Sequence, residues 1–521
     1  MRGRLLLLLH AHLPFVRHPE HERFLEESWF HEAVTEVYLP LLERLRRLRD
    51  EGVPFRLALS LSPTLVAMLR DRLLCDRWRR RHEALIELAE QEVIRHHWQP
   101  AERALAGDYA AELRGLIALW DTVEGDLPGA FAELERAGCL ELLTTAATHA
   151  VLPLLASHSP ESVRAQVEIG LAEHERVFGR RPTGFWLPEC AWAPELGPFL
   201  QAAGVEWFVV ETHGLMQAGA TRGVFAPLRT PDGLHAFGRE PTSAQQVWSR
   251  AIGYPGDPRY RDFHHDLGYE GEAEYLRPYQ STPVARGPVG LRYRAVTGGV
   301  GPKAVYDPQA AQAAVVEHAR HFVSARLAQV RLLAGVLPEP PVFLCPYDAE
   351  LFGHWWHEGP DFLEAVMRRA AECDALELRT PGEVTVNGGE WQTGEPLAST
   401  WGKGGHLGVW LGPENEWIQR ALAEASPQLP AAIRRVAGTV ANDRILRQAA
   451  RELLLAQASD WPFILHTGTS PGYAADRVRH HLESFRRLLE SPEGGGVGSR
   501  LLTDLEAKDN LFRELDPMAW R

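Results

Sequence analysis

The stretch Gly184-Phe185-Trp186-Leu187-Pro188-Glu189-Cys190-Ala191-Trp192 places one carboxylate among aromatic residues. A glycine and an apolar run lead to one carboxylate, which has an indole on either side. Pro188 stiffens the approach because its ring fixes φ. We therefore predict a short buried strand over residues 184–187 that delivers Glu189 at its end.

Two interpretations of Glu189 are open at this point. It is either a buried carboxylate that serves structure, paired to an arginine or placed at a helix start, or a catalytic carboxylate in a sugar site. The second interpretation follows from the flanking indoles, since aromatic faces pack against pyranose rings, and from the ability of a carboxylate to attack an anomeric carbon. A second carboxylate in a similar setting favours the catalytic interpretation.

Other apolar segments also end in ionisable residues. The strand at residues 5–9 leads to His10 and His12, the strand at 140–144 leads to His149, and the strand at 341–345 leads to Asp348. Catalytic groups of a parallel β/α barrel lie at the carboxyl ends of its strands. With strand–helix–strand order over residues 5–60, these endings predict an α/β fold of barrel type.

The chain has 521 residues, too many for one core. We predict a catalytic barrel over residues 1–385, with a helical insertion at about 70–135 and an irregular active-site loop region at about 215–305. Residues 386–521 are predicted to form a C-terminal helical domain.

The amino-acid composition limits the classes of binding partner. The formal net charge of -14 argues against nucleic acid as a partner. The five cysteines form no CxxC pair, which suits a cytoplasmic protein, and no apolar run approaches the length of a membrane span. We expect a neutral ligand, no nucleic acid and no membrane partner.

Glu189 and Asp348 are candidates for a catalytic pair. Two carboxylates about 5–5.5 Å apart at strand ends are what a retaining glycosidase uses, one as nucleophile and the other as general acid/base. Glu350 is a rival for the acid role, because in an extended segment it shares a face with Asp348.

The histidines leave alternatives open. His10, His12 and His149 with Asp348 could bind a metal, as in a metal-dependent hydrolase; they could hydrogen-bond sugar hydroxyls; or they could be structural. A protein that binds glucan without catalysis is a third class. Asp460 and Trp461 are either part of the binding site or a helix terminus packed on the barrel.

Taken together, these motifs resemble glycoside hydrolase family 57, in particular its 1,4-α-glucan branching enzymes. The similar segments are residues 10–14, 144–149, the stretches around Glu189 and Asp348, Trp401 with Trp410, and residues 246–249 and 253–256.

The resemblance implies an incomplete (β/α)7 barrel with an inserted helical domain and a C-terminal helical domain whose tryptophans reach the active site. It implies no cofactor and no metal. Glu189 would be the nucleophile and Asp348 the general acid/base in a double displacement on an α-1,4-glucan such as amylose or glycogen, by a monomer or small homo-oligomer. The expected substrate-binding residues are His10, His12, Trp29, His149, Trp186, Arg239, Trp248, His354, Trp355, Trp401, Trp410, Asp460 and Trp461.

One departure from the family pattern concerns a lid. Branching enzymes of the family carry a long loop with a tyrosine at its tip, whereas the corresponding residues 213–225 are few and contain no tyrosine. Because excluding water favours transfer over hydrolysis, we expect raised hydrolysis beside branching. An α-amylase or a 4-α-glucanotransferase is the alternative within the family.

Overall fold

The computed structural model describes residues 2–249, 252–282, 285–297, 302–386, 389, 391–436, 440–490 and 496–521. The strands in these residues are β1 Gly3–Ala11, β2 Leu57–Leu61, β3 Leu140–Thr145, β4 Gly184–Trp186, β5 Trp207–Val210, β6 Leu228–Arg229, β7 His235–Gly238, β8 Val342–Asp348, β9 Leu376–Leu378 and β10 Gln392–Thr393.

Helices surround and extend this sheet. The α-helices are α1 Glu27–Ala33, α2 Leu39–Asp50, α3 Pro63–Leu69, α4 Arg72–Arg95, α5 Pro100–Thr122, α6 Leu127–Arg136, α7 Leu152–Ala156, α8 Pro160–Phe178, α9 Gly197–Ala202, α10 Thr212–Met216, α11 Pro241–Trp248, α12 Leu267–Glu270, α13 Ala273–Leu276, α14 Pro308–Leu333, α15 Gly359–Ala371, α16 Pro381–Val386, α17 Glu416–Ala425, α18 Gln428–Val436, α19 Val440–Ala456, α20 Asp460–Thr467, α21 Pro471–Glu490 and α22 Gly496–Lys508.

Seven parallel strands curl into a barrel, and the two ends of the strand path contact each other over only a few residues. Their order is β7-β5-β4-β3-β2-β1-β8, and β9 pairs with β1 off this path. The two ends of the path meet through a parallel bridge between Arg239 and Leu344 and through the Glu240 amide, which donates to the Leu344 carbonyl at 2.8 Å. The predicted incomplete (β/α)7 barrel is confirmed.

The alternation of β1 shows how the strands build the barrel. Leu6 and Leu8 pack in a cluster that takes buried residues from all seven strands of the barrel path, whereas Leu5, Leu7 and Leu9 pack in the cluster formed with the surrounding helices. Successive side chains of a strand point to opposite faces, so a strand buried on both faces is apolar throughout.

Several predicted elements differ in detail. The apolar spacing of residues 32–49 predicts one amphipathic helix. The helical stretch instead begins at Glu27 and contains a π-helical turn, Val34–Tyr38, between α1 and α2. The expectation of no strand beyond residue 385 is wrong, because β10 pairs with β6 through backbone hydrogen bonds.

The helices α4, α5 and α6 follow one another between α3 and β3, and their assignment to a separate insertion stays a prediction. Beyond β10, the described residues form helices and turns. In the part of the chain that the structure describes, no helix is both long and apolar enough to cross a membrane.

Candidate active site

The strand β4 delivers Glu189 on a strained turn. Gly184 is required at the start of the strand because a Cβ there would overlap the Trp207 ring. Glu189 has φ 61° and Cys190 has φ 48°, and such left-handed conformations of non-glycine residues cost about 1–3 kcal/mol each. The Trp401 amide donates to the Glu189 carbonyl at 3.0 Å, so the C-terminal region helps to hold this turn.

Both oxygens of the Glu189 carboxylate are held by residues far along the chain. The Trp401 indole Nε1–H donates to Oε2 at 2.8 Å, and the Ser459 hydroxyl donates to Oε1 at 3.0 Å. Burial raises the pKa of Glu189, and these two donors oppose the rise because they stabilise the ionised form. The carboxylate is thus fixed in orientation and retains 15 % side-chain exposure.

A chain of hydrogen bonds links Glu189 to the histidines. Ser459 Oγ lies 2.8 Å from His149 Nδ1, His149 Nε2 lies 2.8 Å from His10 Nε2, and His10 Nδ1 lies 3.2 Å from Ser60 Oγ. An ionised carboxylate only accepts, so Ser459 donates to Glu189 and accepts from His149 Nδ1–H. Neutral His149 then accepts from His10 Nε2–H, which assigns both tautomers.

These two histidines are neutral. Burial lowers the pKa of His10 and of His149 well below the usual value, and the nearby His12 adds to the effect in both cases. The His10 ring stacks on Trp186 with centroids 4.7 Å apart.

His12 differs from His10 and His149 because a carboxylate lies beside its ring. Its Nε2 lies 3.1 Å from the Asp460 carboxylate and its Nδ1 lies 2.9 Å from Ser62 Oγ. Burial acts to lower the pKa of His12, but the charge and hydrogen bond of Asp460 outweigh it, and the net result is a raised pKa. A cationic imidazolium is therefore favoured beside the histidine pair.

Asp348 ends β8 and is the register partner of His10 on β1. Burial raises the pKa of Asp348 well above its usual value, and the charges of Glu350 and Glu189 raise it further, while Arg239 opposes. A carboxyl kept protonated near a second carboxylate is what a general acid requires.

Glu350 is the weaker candidate for that acid. Its Oε1 accepts from the Tyr38 hydroxyl, and it also accepts from the His12 amide at 3.2 Å. The Glu350 carboxylate is therefore already engaged in hydrogen bonds within the protein.

The aromatic residues differ in their access. Trp401 is partly exposed, its ring lies edge-on to Trp186 at 5.0 Å, and the Arg239 guanidinium lies 5.6 Å from it. Trp410 is 1 % exposed and packs behind the Gly402 turn, and Trp461 is 0 % exposed. In this structure neither Trp410 nor Trp461, both expected to bind substrate, presents an open face.

The remaining predicted binding residues lie on α1, on α11 and on the loop that follows β8. Trp29 packs edge-on against Tyr473 at 6.0 Å, and Trp248 is partly buried at the end of α11. His354 Nδ1 bonds the Glu36 carboxylate, which raises the pKa of His354 against the effect of burial. Trp355 is 46 % exposed.

The geometry gives the metal alternative little support. The ring nitrogens of His10 and His149 face each other, and those of His12 face Ser62 and Asp460. Among the described residues, the histidine and carboxylate groups that converge at metal-ligand spacing are Glu452, His481 and Asp509, which lie in the C-terminal helical region.

Comparison with known families decides the classification. The family model for glycosyl hydrolase family 57 matches residues 6–387, and the one described as 1,4-alpha-glucan branching enzyme, C-terminal, matches residues 421–520. The chain belongs to glycosyl hydrolase family 57.

Its similarity to members of this family extends over the whole chain. The 1,4-alpha-glucan branching enzyme TK1436 of Thermococcus kodakarensis is 33% identical, with 98% of this chain and 78% of that protein covered. The alpha-amylase AmyC of Thermotoga maritima has a TM-score of 0.93 at 38% identity, covering 100% and 99% of the two chains. The GH57-type branching enzyme of Pyrococcus horikoshii has a TM-score of 0.90 at 32% identity, covering 100% and 97%.

The segment 213–225, which the resemblance predicts to correspond to the lid, is compact. It comprises α10 and a 3-10 turn, Gly223–Phe225. The Gly214 carbonyl accepts from the Leu397 amide at 3.0 Å, and His213 Nε2 lies 3.1 Å from the Gly405 carbonyl. The segment is thereby fastened to the same C-terminal region that holds Glu189.

Sequence reasoning missed the serines of this family 57 site. Ser459, Ser60 and Ser62 each bond one of the site histidines. Serine is frequent in any sequence, so two signals alone point to these residues. They are the position of Ser459 directly before Asp460 and the spacing of Ser60 and Ser62, which mirrors that of the two histidines on the neighbouring strand.

Proposed function

We propose that this family 57 chain is a retaining 1,4-α-glucan branching enzyme with Glu189 as nucleophile and Asp348 as general acid/base. The observation that carries the proposal is the pair of hydrogen bonds that holds the Glu189 carboxylate. A strained turn presents the carboxylate, and its two oxygens are bonded by Trp401 and by Ser459, which lies in the region matched by the branching-enzyme C-terminal model.

The first half-reaction cleaves an α-1,4 linkage. A Glu189 oxygen forms a bond to C1 as the C1–O4 bond breaks, and Asp348 gives its proton to the departing 4-oxygen. The raised pKa of Asp348 supports this role, because the proton must be present when the leaving group needs it. The product is a glycosyl ester on Glu189 and a free shortened chain.

The second half-reaction reverses these roles. The Asp348 carboxylate takes the proton of an acceptor 6-hydroxyl, whose oxygen attacks C1 and releases Glu189 as a carboxylate. The result is an α-1,6 branch with net retention, and no redox partner is needed. The hydrogen bonds from Trp401 and Ser459 stabilise the departing carboxylate charge.

Hydrolysis is proposed as a second activity. The segment 213–225 is short, lacks tyrosine and is fastened to residues 397 and 405. Water therefore competes with the acceptor hydroxyl at the ester stage. The similarity to AmyC, an alpha-amylase, over the full chain favours the same second activity.

Amylose products test both proposals. We expect α-1,6 linkages by proton NMR together with an excess of new reducing ends. Glu189→Gln should lower both rates by several orders of magnitude, whereas Glu195→Gln, an exposed acid on the next turn, should leave them unchanged. Undiminished turnover by Glu189→Gln refutes the nucleophile assignment, and abundant branching with few reducing ends refutes the lid argument.

The cytoplasmic location and the monomer or small homo-oligomer stay predictions.

A further inference from the structure

A second cavity lies away from the catalytic carboxylates. It has a volume of about 170 Å³ and is bounded by α1, the π-helical turn, α4, α5, Ser281 and residues 288–291. Neither Glu189, Asp348 nor any of the three site histidines lines it. A cavity of about 150 Å³ accommodates a six-membered ring such as benzene, so this one has room for a single ring.

Several charged residues of the cavity bond partners within the protein. Arg44 Nε donates to Asp361 at 3.0 Å, and Arg292, which lies behind the wall, donates to Glu36 at 2.9 Å. Arg261 donates to the Tyr109 hydroxyl at 3.3 Å. Because the lining carries both signs and the cations have partners, the cavity suits a neutral polar ligand better than an anion.

Two polar side chains in the lining lack partners. Ser281 is 8 % exposed, and its Oγ has no hydrogen-bond partner among the described residues; neither does either buried ring nitrogen of His31. An unsatisfied buried polar group costs about 1–3 kcal/mol. A ligand carrying hydroxyl groups would satisfy both, since a hydroxyl donates and accepts.

The remaining wall is apolar. Leu85, Leu113, Leu116 and Leu291 line the cavity, and Tyr109 adds an aromatic ring. Hydroxyl-binding groups facing an aliphatic surface match a pyranose, which has polar edges and apolar C–H faces. The cavity adjoins the acid/base segment, because Glu36 of its lining also bonds His354.

We propose that this cavity is a second saccharide site that binds one neutral hexose ring, a glucose unit at the end of a glucan chain. The choice of glucose rests on the proposed function; the choice of a neutral hydroxylated ring rests on the cavity alone. Ser281 and His31 bind the hydroxyls, and the leucines cover one face of the ring.

Calorimetric titration of the full-length Glu189→Gln protein with glucose tests the proposal. We expect two classes of site. Ser281→Leu extends a side chain into the cavity and should weaken one class at least tenfold, while Trp401→Ala should affect only the other. Ser157→Leu, at an exposed position, is the matched control. His31→Phe should act like Ser281→Leu and replaces it if that variant fails to fold.

Three results would overturn the proposal. They are a single class of glucose site that Trp401→Ala abolishes, unchanged binding in folded Ser281→Leu and His31→Phe, and binding of inorganic phosphate in place of glucose. The branching assay on the wild-type enzyme is separate. A protein that binds glucose in the cavity but makes no α-1,6 linkage refutes the proposed function and keeps the hydroxylated-ring site.

Discussion

Replacing Trp401 by phenylalanine removes one hydrogen bond from the proposed nucleophile and leaves an aromatic ring in place. The bond lost is the 2.8 Å contact from the indole Nε1–H to Glu189 Oε2. Ser459 would remain as the donor to the other oxygen. The change therefore addresses the charge on Glu189 more than the shape of the site.

The expected magnitude follows from the chemistry of that bond. A hydrogen bond to a charged group contributes about 1.5–3 kcal/mol, and one pKa unit corresponds to about 1.36 kcal/mol. The donor stabilises the ionised form, so its loss raises the pKa of Glu189 beyond the rise that burial already causes, by an amount set by the free energy of that bond. Since the nucleophile must be ionised, the acidic limb of the pH profile moves to higher pH by the same amount.

The assay is the pH dependence of kcat/KM on amylose for the free enzyme. Loss of aromatic contact with sugar would lower the whole curve without moving its midpoint, so the midpoint reports on the hydrogen bond. Trp410→Phe is the matched control, because Trp410 is buried in the same segment and its Nε1 has no partner among the described residues. An acidic midpoint that stays in place in Trp401→Phe would refute the assignment of Glu189 as the titrating nucleophile.

Three further changes extend the test. Asp348→Asn should lower kcat/KM on amylose by several orders of magnitude and much less on an aryl glycoside whose leaving group needs no proton; equal losses would contradict the acid role. Arg239→Gln should move the basic limb to higher pH, because Arg239 holds down the raised pKa of Asp348. Glu240→Gln breaks a buried 2.6 Å ion pair with Arg326 and should lower the free energy of unfolding by about 3–5 kcal/mol. A denaturant titration measures this loss. The control is Glu416→Gln at an exposed position, which should lower the free energy of unfolding by less than about 0.5 kcal/mol. Burial acts to raise the pKa of Glu240, but Arg326 holds that pKa below its usual value. The ion pair therefore contributes to the free energy of unfolding above the unfolded-state pKa of about 4.3, and this contribution is lost as the pH falls below that value.

Local pattern in the sequence is sufficient for the barrel and for the two carboxylates. A run such as Leu5 to Leu9 is apolar at every position because a barrel strand is buried on both faces, and the polar residue that follows marks the strand end. Strand ends of a parallel barrel share one rim, so the sequence pattern alone groups Glu189 with Asp348.

Other features of the structure cannot be predicted from local sequence pattern. The choice between Asp348 and Glu350 depends on a bond from Tyr38, which lies 312 residues earlier in the chain. The π-helical turn Val34–Tyr38 has the same apolar spacing as the α-helix that the pattern predicts. Trp401 and Trp410 lie in equally glycine-rich sequence, yet one faces the site and the other is buried behind it.

The sequence alone thus determined the barrel, its strand endings and the pair of candidate carboxylates, because hydrophobic periodicity and turn chemistry act over a few residues. The tertiary structure decided how Glu189 is held. Its two hydrogen-bond donors are 212 and 270 residues away, on a C-terminal region whose position over the barrel mouth follows from the packing of whole helices. No periodicity within the stretch 184–192 contains that information.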